Sequence, residues 1–253
     1  MTHSRKTLPL VACGLLFSLT LGEVVAQQSG SGGFARQPAD ILSYLGAPWL
    51  ERHEREAMEK PEQVLDALKI QPGDVVADVG AGSGFFTVKL SRRVGPTGKV
   101  YAVDIQKEML DLIRQKIDRM GLGNIEPVLG ETADPHLPPQ AIDLIFIVDA
   151  YHEFQEPLSL VKRLREALKP DGRLMIIEYK SEYAYIRPLH KMEESQIVGE
   201  LKLVGFTLSK RFDLLENQHM LIFKKGGSQL GLRKRERVGG DPIRNSILGY
   251  PRR

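Results

Sequence analysis

The chain has 253 residues, of which 42% are hydrophobic and 26% are charged, and its formal net charge is only +3. These values are ordinary for a globular protein, and the length suits one sizeable α/β domain with tails. The single cysteine, Cys13, lies within the N-terminal segment, so a chain that has lost this segment has neither a disulfide nor a cysteine nucleophile.

The N-terminal residues 1–26 have the pattern of a secretion signal or anchor. Two basic residues precede an apolar run at 8–21, and small residues precede a cleavage point before Gln27. The apolar run is short for a membrane span. A lipoprotein box ending at Cys13 is the weaker alternative, because little apolar sequence precedes it. We therefore expect an exported protein, periplasmic or membrane-anchored, and a cytoplasmic one if the signal is not used.

Residues 27–60 are predicted to form a linker and an N-terminal helical cap, with a Gly/Ser stretch at 28–33 and a helix at 38–60. Beyond them, apolar runs alternate with helical patterns. The predicted strands are 75–77, 100–103, 125–129, 144–148, 173–178, 207–212 and 219–223, and the predicted helices are 61–68, 85–94, 107–120, 157–168 and 193–204. This alternation predicts an α/β fold with a doubly wound, mostly parallel sheet.

The sequence after residue 225 differs in composition from the predicted domain at 61–225. Residues 226–253 have few large apolar side chains and contain a cluster of arginine and lysine at 233–237. Such a composition is typical of a disordered basic tail. It is either a solvated terminus or a segment in weak contact with an anionic surface, and we do not expect a nucleic-acid partner.

Three glycines at alternate positions follow the first predicted strand. Gly80, Gly82 and Gly84 let the backbone turn sharply and come close to a ligand, just before the N-terminus of the next helix. A dinucleotide fingerprint would need its last glycine at Phe85. The observed spacing is G-x-G-x-G, with Asp78 before it, and this disfavours a dinucleotide.

A second acidic residue follows the second predicted strand. Asp104 lies twenty residues after Gly84 and precedes Ile105. A carboxylate at this place can accept hydrogen bonds from both hydroxyls of a ribose. For one glycine turn alone an ordinary strand-to-helix connection would be favoured, but the two aspartates together favour a nucleoside-type cofactor.

These motifs resemble motif I and the ribose-binding acidic residue of class I S-adenosylmethionine-dependent methyltransferases. Residues 168–174 resemble the LKPGG turn that precedes the fifth strand in that family, and the segment after strand three resembles its adenine-side segment. The resemblance covers 61–225 and implies a Rossmann-like sheet of seven strands with an antiparallel last strand. It is nearest to small-molecule enzymes of the quinone-biosynthesis type. The residues that it assigns to the cofactor S-adenosyl-L-methionine are Asp78, Gly80, Gly82, Ser83, Gly84, Asp104, Ile105, Gly130, Glu131 and Asp149.

Polar residues follow the apolar fourth strand, at the end of the sheet where ligands bind. We predict His152 as a base or orienting group, with Glu153 as its partner and Tyr151 shaping the pocket. In the alternative interpretation, Asp149 caps the next turn and the other side chains satisfy loop backbone.

Four further residues are weaker candidates for contact with the substrate. His190 and Lys191 lie between strand five and the next helix, where Lys191 either attracts an acidic acceptor or is simply solvated. Tyr179 faces the acceptor or packs in the core. Trp49 shares a helical face with His53, so it either roofs the pocket or packs in the core.

The sequence lacks the motifs typical of metal sites and of serine hydrolases. The six histidines are scattered with no H-x-x-x-H pair, so we predict no metal site, and no G-x-S-x-G is present. We predict transfer of a methyl group to a small organic acceptor, with O-, N- and C-methylation all open. Two rivals remain: an NAD(P)-dependent Rossmann oxidoreductase, and a non-catalytic nucleoside- or metabolite-binding protein of the cell envelope.

Overall fold

The computed structural model describes residues 36–226. Within this range a 3-10 turn at Tyr44–Gly46 is followed by seven α-helices and seven strands. The helices are α1 (Ala47–Leu50), α2 (Glu54–Glu59), α3 (Pro61–Leu68), α4 (Phe85–Val94), α5 (Lys107–Met120), α6 (Pro157–Ala167) and α7 (Glu194–Leu203). The strands are β1 (Val75–Val79), β2 (Lys99–Asp104), β3 (Ile125–Leu129), β4 (Ile142–Val148), β5 (Leu168–Tyr179), β6 (Phe206–Arg211) and β7 (Gln218–Lys225).

The seven strands form one sheet in the order β3-β2-β1-β4-β5-β7-β6. All neighbouring pairs are parallel except those of β7, which runs antiparallel to both β5 and β6. The predicted Rossmann-like sheet with an antiparallel last strand is confirmed. Because the chain winds one way from β1 and the other way from β4, a crevice opens where these two strands end.

Helices cover both faces of the sheet, and this explains why the sequence of the central strand β4 is almost entirely apolar. Leu144 and Phe146 belong to the core cluster that contains residues of α3 and α4. Ile145 and Ile147 belong to the cluster on the other face, with residues of α6 and α7. Successive strand residues point to opposite faces, so a strand covered on both sides needs apolar side chains throughout.

The predicted continuous helix at 38–60 is wrong. Residues 36–43 have no regular structure, and α1 and α2 are separate short helices. The amide of Ala39 donates to the carbonyl of His152 at 3.0 Å, and the guanidinium of Arg36 donates to the carbonyls of Tyr151 and His152. Contacts with the loop after β4 therefore replace the bonds that a helix would make within itself.

The segment resembling an LKPGG turn is also not a separate turn. Helix α6 ends at Ala167 and β5 begins with the next residue. The pairing of β5 with β4 passes from Ile142–Leu168 to Leu144–Arg173, so residues 169–172 form a bulge. The helices within 36–226 are too short or too polar to cross a bilayer. The predicted signal segment and most of the predicted basic tail lie outside the described residues.

Candidate active site

A cavity of about 600 Å³ opens at the carboxyl ends of β1, β2 and β4. Its wall includes most of the residues that the sequence analysis selected: Trp49, Asp78, Gly80, Gly82, Ser83, Asp104, Ile105, Gly130, Glu131, Asp149, His152, Glu153, Tyr179 and His190. Tyr151, Gly84 and Lys191 are not part of this wall. The fold thus brings together residues that are far apart in the sequence.

The glycine loop after β1 needs glycine for two physical reasons. Gly80, Gly82 and Gly84 have φ angles of 75°, 54° and 84°, a region that residues with a Cβ adopt at a cost. A Cβ on Gly80 would lie 2.5 Å from the Cβ of Ala150, and one on Gly82 would lie 2.8 Å from Leu50. The backbone of this loop therefore passes close to its neighbours and turns toward the cavity.

Ser83, within the same loop, is tied to the N-terminal helices. Its buried hydroxyl donates a hydrogen bond to the carboxylate of Glu51, which also forms an ion pair of 2.6 Å with Lys116. The side chain of Ser83 therefore holds the loop against the chain that follows α1.

Asp104 lies at the end of β2 and connects the second strand to the glycine loop. One carboxylate oxygen accepts a hydrogen bond from the amide of Gly82 at 2.9 Å, and the other accepts one from the amide of Gln106 at 2.9 Å. Burial raises the pKa of Asp104 despite these bonds. Each oxygen keeps a second lone pair for a ligand hydroxyl.

Asp78 is the buried acidic residue on β1. Its carboxylate accepts a hydrogen bond of 2.6 Å from the hydroxyl of Thr87. Burial raises the pKa of Asp78 to about 7, and repulsion by Asp104 adds to the rise, while Thr87 and Arg55 oppose it. A carboxyl group whose negative charge is this poorly compensated favours a cationic ligand.

His152 has two carboxylate neighbours: Glu178, which was not predicted and lies closer, and the predicted partner Glu153, which forms a longer ion pair with it. Nδ1 of His152 lies 2.7 Å from Glu178, whereas Nε2 lies 3.8 Å from Glu153 and 3.0 Å from Nδ1 of His190. The carboxylate of Glu153 accepts from the amide of Leu42. Burial alone would lower the pKa of His152, but the charge and hydrogen bond of Glu178 raise it to about 9.

Tyr151 does not shape the cavity, contrary to prediction. It is fully buried in the core, and its hydroxyl donates to Glu200 at 2.6 Å beneath the guanidinium of Arg36. Lys191 also points elsewhere, since its ammonium group donates to the carbonyl of Tyr183. The ring of Tyr151 belongs to the core cluster that also contains Ile147 and Leu160.

Trp49 lies on the cavity wall but not on the helix face that was predicted. Helix α1 ends at Leu50, so Trp49 does not share a continuous helix with His53, whose side chain is 93% exposed. The indole is half-exposed, with the guanidinium of Arg52 at 3.6 Å from its ring centroid. The expectation of a core-packed tryptophan is therefore wrong.

The other selected residues occupy the remaining walls. The amide of Gly130 donates to the carbonyl of Asp104 at 3.0 Å, and the side chain of Glu131 is mostly exposed. Asp149 has a φ of 48°, and its carboxylate accepts from the side-chain amide of Gln218 at 2.9 and 3.0 Å. Burial raises the pKa of Asp149 well above its ordinary value.

Several residues of the site were missed by sequence reasoning. Glu178 carried a usable signal, because it is an acidic residue directly after the apolar run at 174–177, near the end of β5. Arg55 and Glu59 did not, since their i, i+4 spacing also fits an ordinary surface pair. In the structure they form a buried bidentate ion pair at 2.6 and 2.7 Å, with the guanidinium 4.2 Å from the ring of Phe85.

The sheet order, the glycine loop after β1 and the aspartate after β2 together define a class I S-adenosylmethionine-dependent methyltransferase. Residues 70–226 match the family model described as a methyltransferase domain, and the chain belongs to this family.

Similar proteins agree with this assignment. The ubiquinone/menaquinone biosynthesis C-methyltransferase UbiE of Escherichia fergusonii is 31% identical over 150 residues, 59% of each chain. A S-adenosylmethionine-dependent methyltransferase structure from Aquifex aeolicus is 30% identical, with a TM-score of 0.69 over 72% of this chain and 98% of that one. A TehB-like methyltransferase from Corynebacterium glutamicum, 18% identical with a TM-score of 0.56 over 72% of this chain and 98% of its own, shares the fold. The chain spans about three fifths of the length of the curated relatives that it matches.

Proposed function

We propose that this protein transfers a methyl group from S-adenosylmethionine to a small organic acceptor bound in the cavity. The observation that carries the proposal is the composition of the cavity wall. The glycine loop, Asp78 and Asp104 lie on it together with the hydrogen-bonded pair of His152 and His190. One cavity thus offers groups suited to a cofactor and groups suited to an acceptor.

The residues present fit this cofactor. The turn at Gly80 and Gly82 and the buried Asp78 would hold the methionine end, Asp104 the ribose, and the segment from Gly130 the adenine side. When bound, the cofactor supplies a methyl group on a positively charged sulfur. Acidic side chains on the wall outnumber its two arginines, which favours a cationic ligand; they are Asp40, Glu59, Asp78, Asp104, Glu131, Asp149 and Glu153.

The acceptor side is built from rigid groups. Glu178 holds His152 through both its ring and its backbone amide, at 2.7 and 3.2 Å. Holding an acceptor in line with the methyl group supplies much of the acceleration in such reactions. Trp49 lies on the cavity wall, where it would reduce the access of water to bound ligands.

The size of the acceptor is limited by the cavity. A volume of about 600 Å³ falls within the range of small-molecule sites, and part of it is needed for the cofactor. The curated relatives are C-methyltransferases of quinone biosynthesis, which supports a small acceptor for this chain.

The predicted signal at residues 1–26 supports an exported location, and fractionation of cells that express the native gene tests it.

Calorimetry followed by a labelling assay tests the function. Full-length protein is titrated with S-adenosylmethionine, with its demethylated product and, separately, with NAD and NADP. It is then incubated with methyl-labelled cofactor and fractionated cell extract. We expect binding of the first two ligands and transfer of label to a small compound.

The other outcomes of this experiment are informative. Cofactor binding with no transfer to any fraction would support the non-catalytic binding protein. Binding of the nicotinamide nucleotides alone would support the oxidoreductase. Folded protein that binds none of these ligands would overturn the proposal.

A further inference from the structure

The cavity wall carries a cluster of metal-ligating side chains that the sequence spacing did not reveal. His152 and Glu153 lie in a 3-10 helix at Tyr151–Glu153, and His190 ends another at Pro188–His190. One ligand atom from each of the three side chains lies within 4.8 Å of the other two. The expectation of no metal site rested on local spacing, whereas these histidines are 38 positions apart.

We propose that His152, Glu153 and His190 form a binding site for a divalent transition-metal ion such as Zn²⁺ or Fe²⁺. Two histidines and one carboxylate are a recurrent ligand set for both ions. All three residues line the cavity, so an ion can reach them from its open side.

The distances fit this proposal. Ligand atoms at about 2.1 Å from an ion lie about 3.0 Å apart in octahedral geometry and about 3.4 Å apart in tetrahedral geometry. Nε2 of His152 is 3.0 Å from Nδ1 of His190 and 3.8 Å from the carboxylate of Glu153. The carboxylate of Glu153 lies within 4.8 Å of both histidine nitrogens, so its side chain must move toward them to close the set.

Glu178 provides the support that histidine ligands usually have. Its buried carboxylate lies 2.7 Å from Nδ1 of His152, on the opposite side of the ring from Nε2. A carboxylate at this place fixes the orientation of the ring, and it makes the other nitrogen a better ligand. The carboxylate, histidine and metal arrangement is thus already assembled except for the ion.

The position of the site suggests its use, and this step rests on the proposed function. Three protein ligands leave at least one coordination position open, on the cavity side. An oxygen of the acceptor, such as a hydroxyl or a carboxylate, would bind there and be held beside the cofactor. The acceptor class is therefore an oxygen-bearing molecule able to bind a metal.

Metal titration of the full-length protein tests the site without reference to methyl transfer. Cys13→Ser is the background, because a free thiol also binds zinc. Chelator-treated protein is titrated with Zn²⁺ by calorimetry and with Co²⁺ by absorption spectroscopy. We expect one ion per chain, and a cobalt spectrum typical of nitrogen and oxygen ligands.

Variants locate the ion. His190→Ala should weaken binding at least tenfold, and Glu178→Gln by about 10- to 100-fold through the lost support of His152. His53→Ala is the matched control, since His53 is an exposed histidine 3.6 Å from the carboxylate of Glu54, and it should bind as before. Thermal melting and calorimetry with S-adenosylmethionine establish that each variant is folded.

Two results would overturn the metal site. One is folded Cys13→Ser protein that binds no stoichiometric ion. The other is equal metal affinity in the Cys13→Ser background with and without His190→Ala, which would make the 3.0 Å contact a plain hydrogen bond. Metal binding without cofactor binding would instead uphold the site and count against the proposed function.

Discussion

The ring of His152 and the carboxylate of Glu178 are joined by a 2.7 Å contact although the two residues are 26 positions apart. Strands β4 and β5 are parallel neighbours, so the residue after one strand and the last residues of the other meet at the same sheet edge. Both groups are buried, and the pair presents one ring nitrogen to the cavity. The proposed acceptor side of the site depends on this contact.

Replacement of His152 by alanine should remove catalysis and leave the cofactor site intact. We expect turnover to fall by about 10²- to 10⁴-fold, the usual contribution of a positioned histidine. The affinity for S-adenosylmethionine should stay within about twofold, since the glycine loop and Asp104 are unchanged. Steady-state kinetics and calorimetry measure the two effects, and unchanged turnover would remove His152 from the mechanism.

Replacement of Asp104 by asparagine should weaken the binding of the cofactor, which His152→Ala should leave unchanged. The neutral amide cannot accept charge-assisted hydrogen bonds, each worth about 1.5–3 kcal/mol, so affinity for the cofactor should fall at least tenfold. Asp111→Asn is the control, because Asp111 pairs with Lys107 and Arg114 on the exposed face of α5. If both variants bind the cofactor alike, Asp104 does not hold the ribose.

The affinity for S-adenosylmethionine should rise with pH through about 7. Asp78 has a pKa of about 7, with Asp104, Thr87 and Arg55 around it, so it is half protonated near neutrality. A cationic ligand favours the ionised carboxylate, and binding therefore releases a proton below pH 7. Calorimetry at pH 6, 7 and 8 should show tightening, which Asp78→Asn should abolish.

The raised pKa of Asp78 also makes the stability of the ligand-free protein depend on pH. The pKa of Asp78 is higher in the folded chain than its ordinary value of 3.8, so the folded state binds this proton more tightly than the unfolded state does. The contribution of Asp78 to stability is therefore largest at low pH and is lost as the pH rises toward 7. Comparison of the free energies of unfolding of wild type and Asp78→Asn at pH 5.5 and 7.5 isolates this contribution.

Alanine in place of Gly80 should destabilise the fold strongly. Left-handed backbone costs about 1–2 kcal/mol for a residue with a Cβ, and overpacking against Ala150 at 2.5 Å adds about 1–3 kcal/mol. Gly121→Ala is the matched control, since its φ is 63° but no atom lies within 4 Å of the added Cβ. Urea unfolding should show a loss of about 2–5 kcal/mol for Gly80→Ala and about 1–2 kcal/mol for the control.

Much of the architecture and of the cofactor side was predictable from the sequence. The predicted bounds of α3, α4, α5 and β3 agree with the structure, and Gly80, Gly82 and Asp104 lie on the cavity wall. These features are local. Apolar periodicity, helix-ending glycines and the G-x-G-x-G spacing each depend on neighbouring residues, so they can be read before the chain is folded.

The arrangement of the proposed acceptor side was decided by tertiary structure. The sequence offered the adjacent Glu153 as the partner of His152, but strand pairing brings the closer carboxylate of Glu178 to the ring, and loop packing adds His190. Likewise Ala39 binds the loop after β4 instead of continuing the predicted helix, and Arg36, just before that predicted helix, binds the same loop. Such contacts depend on which strands are neighbours and on how buried polar groups find partners, and neither is encoded in the spacing of nearby residues.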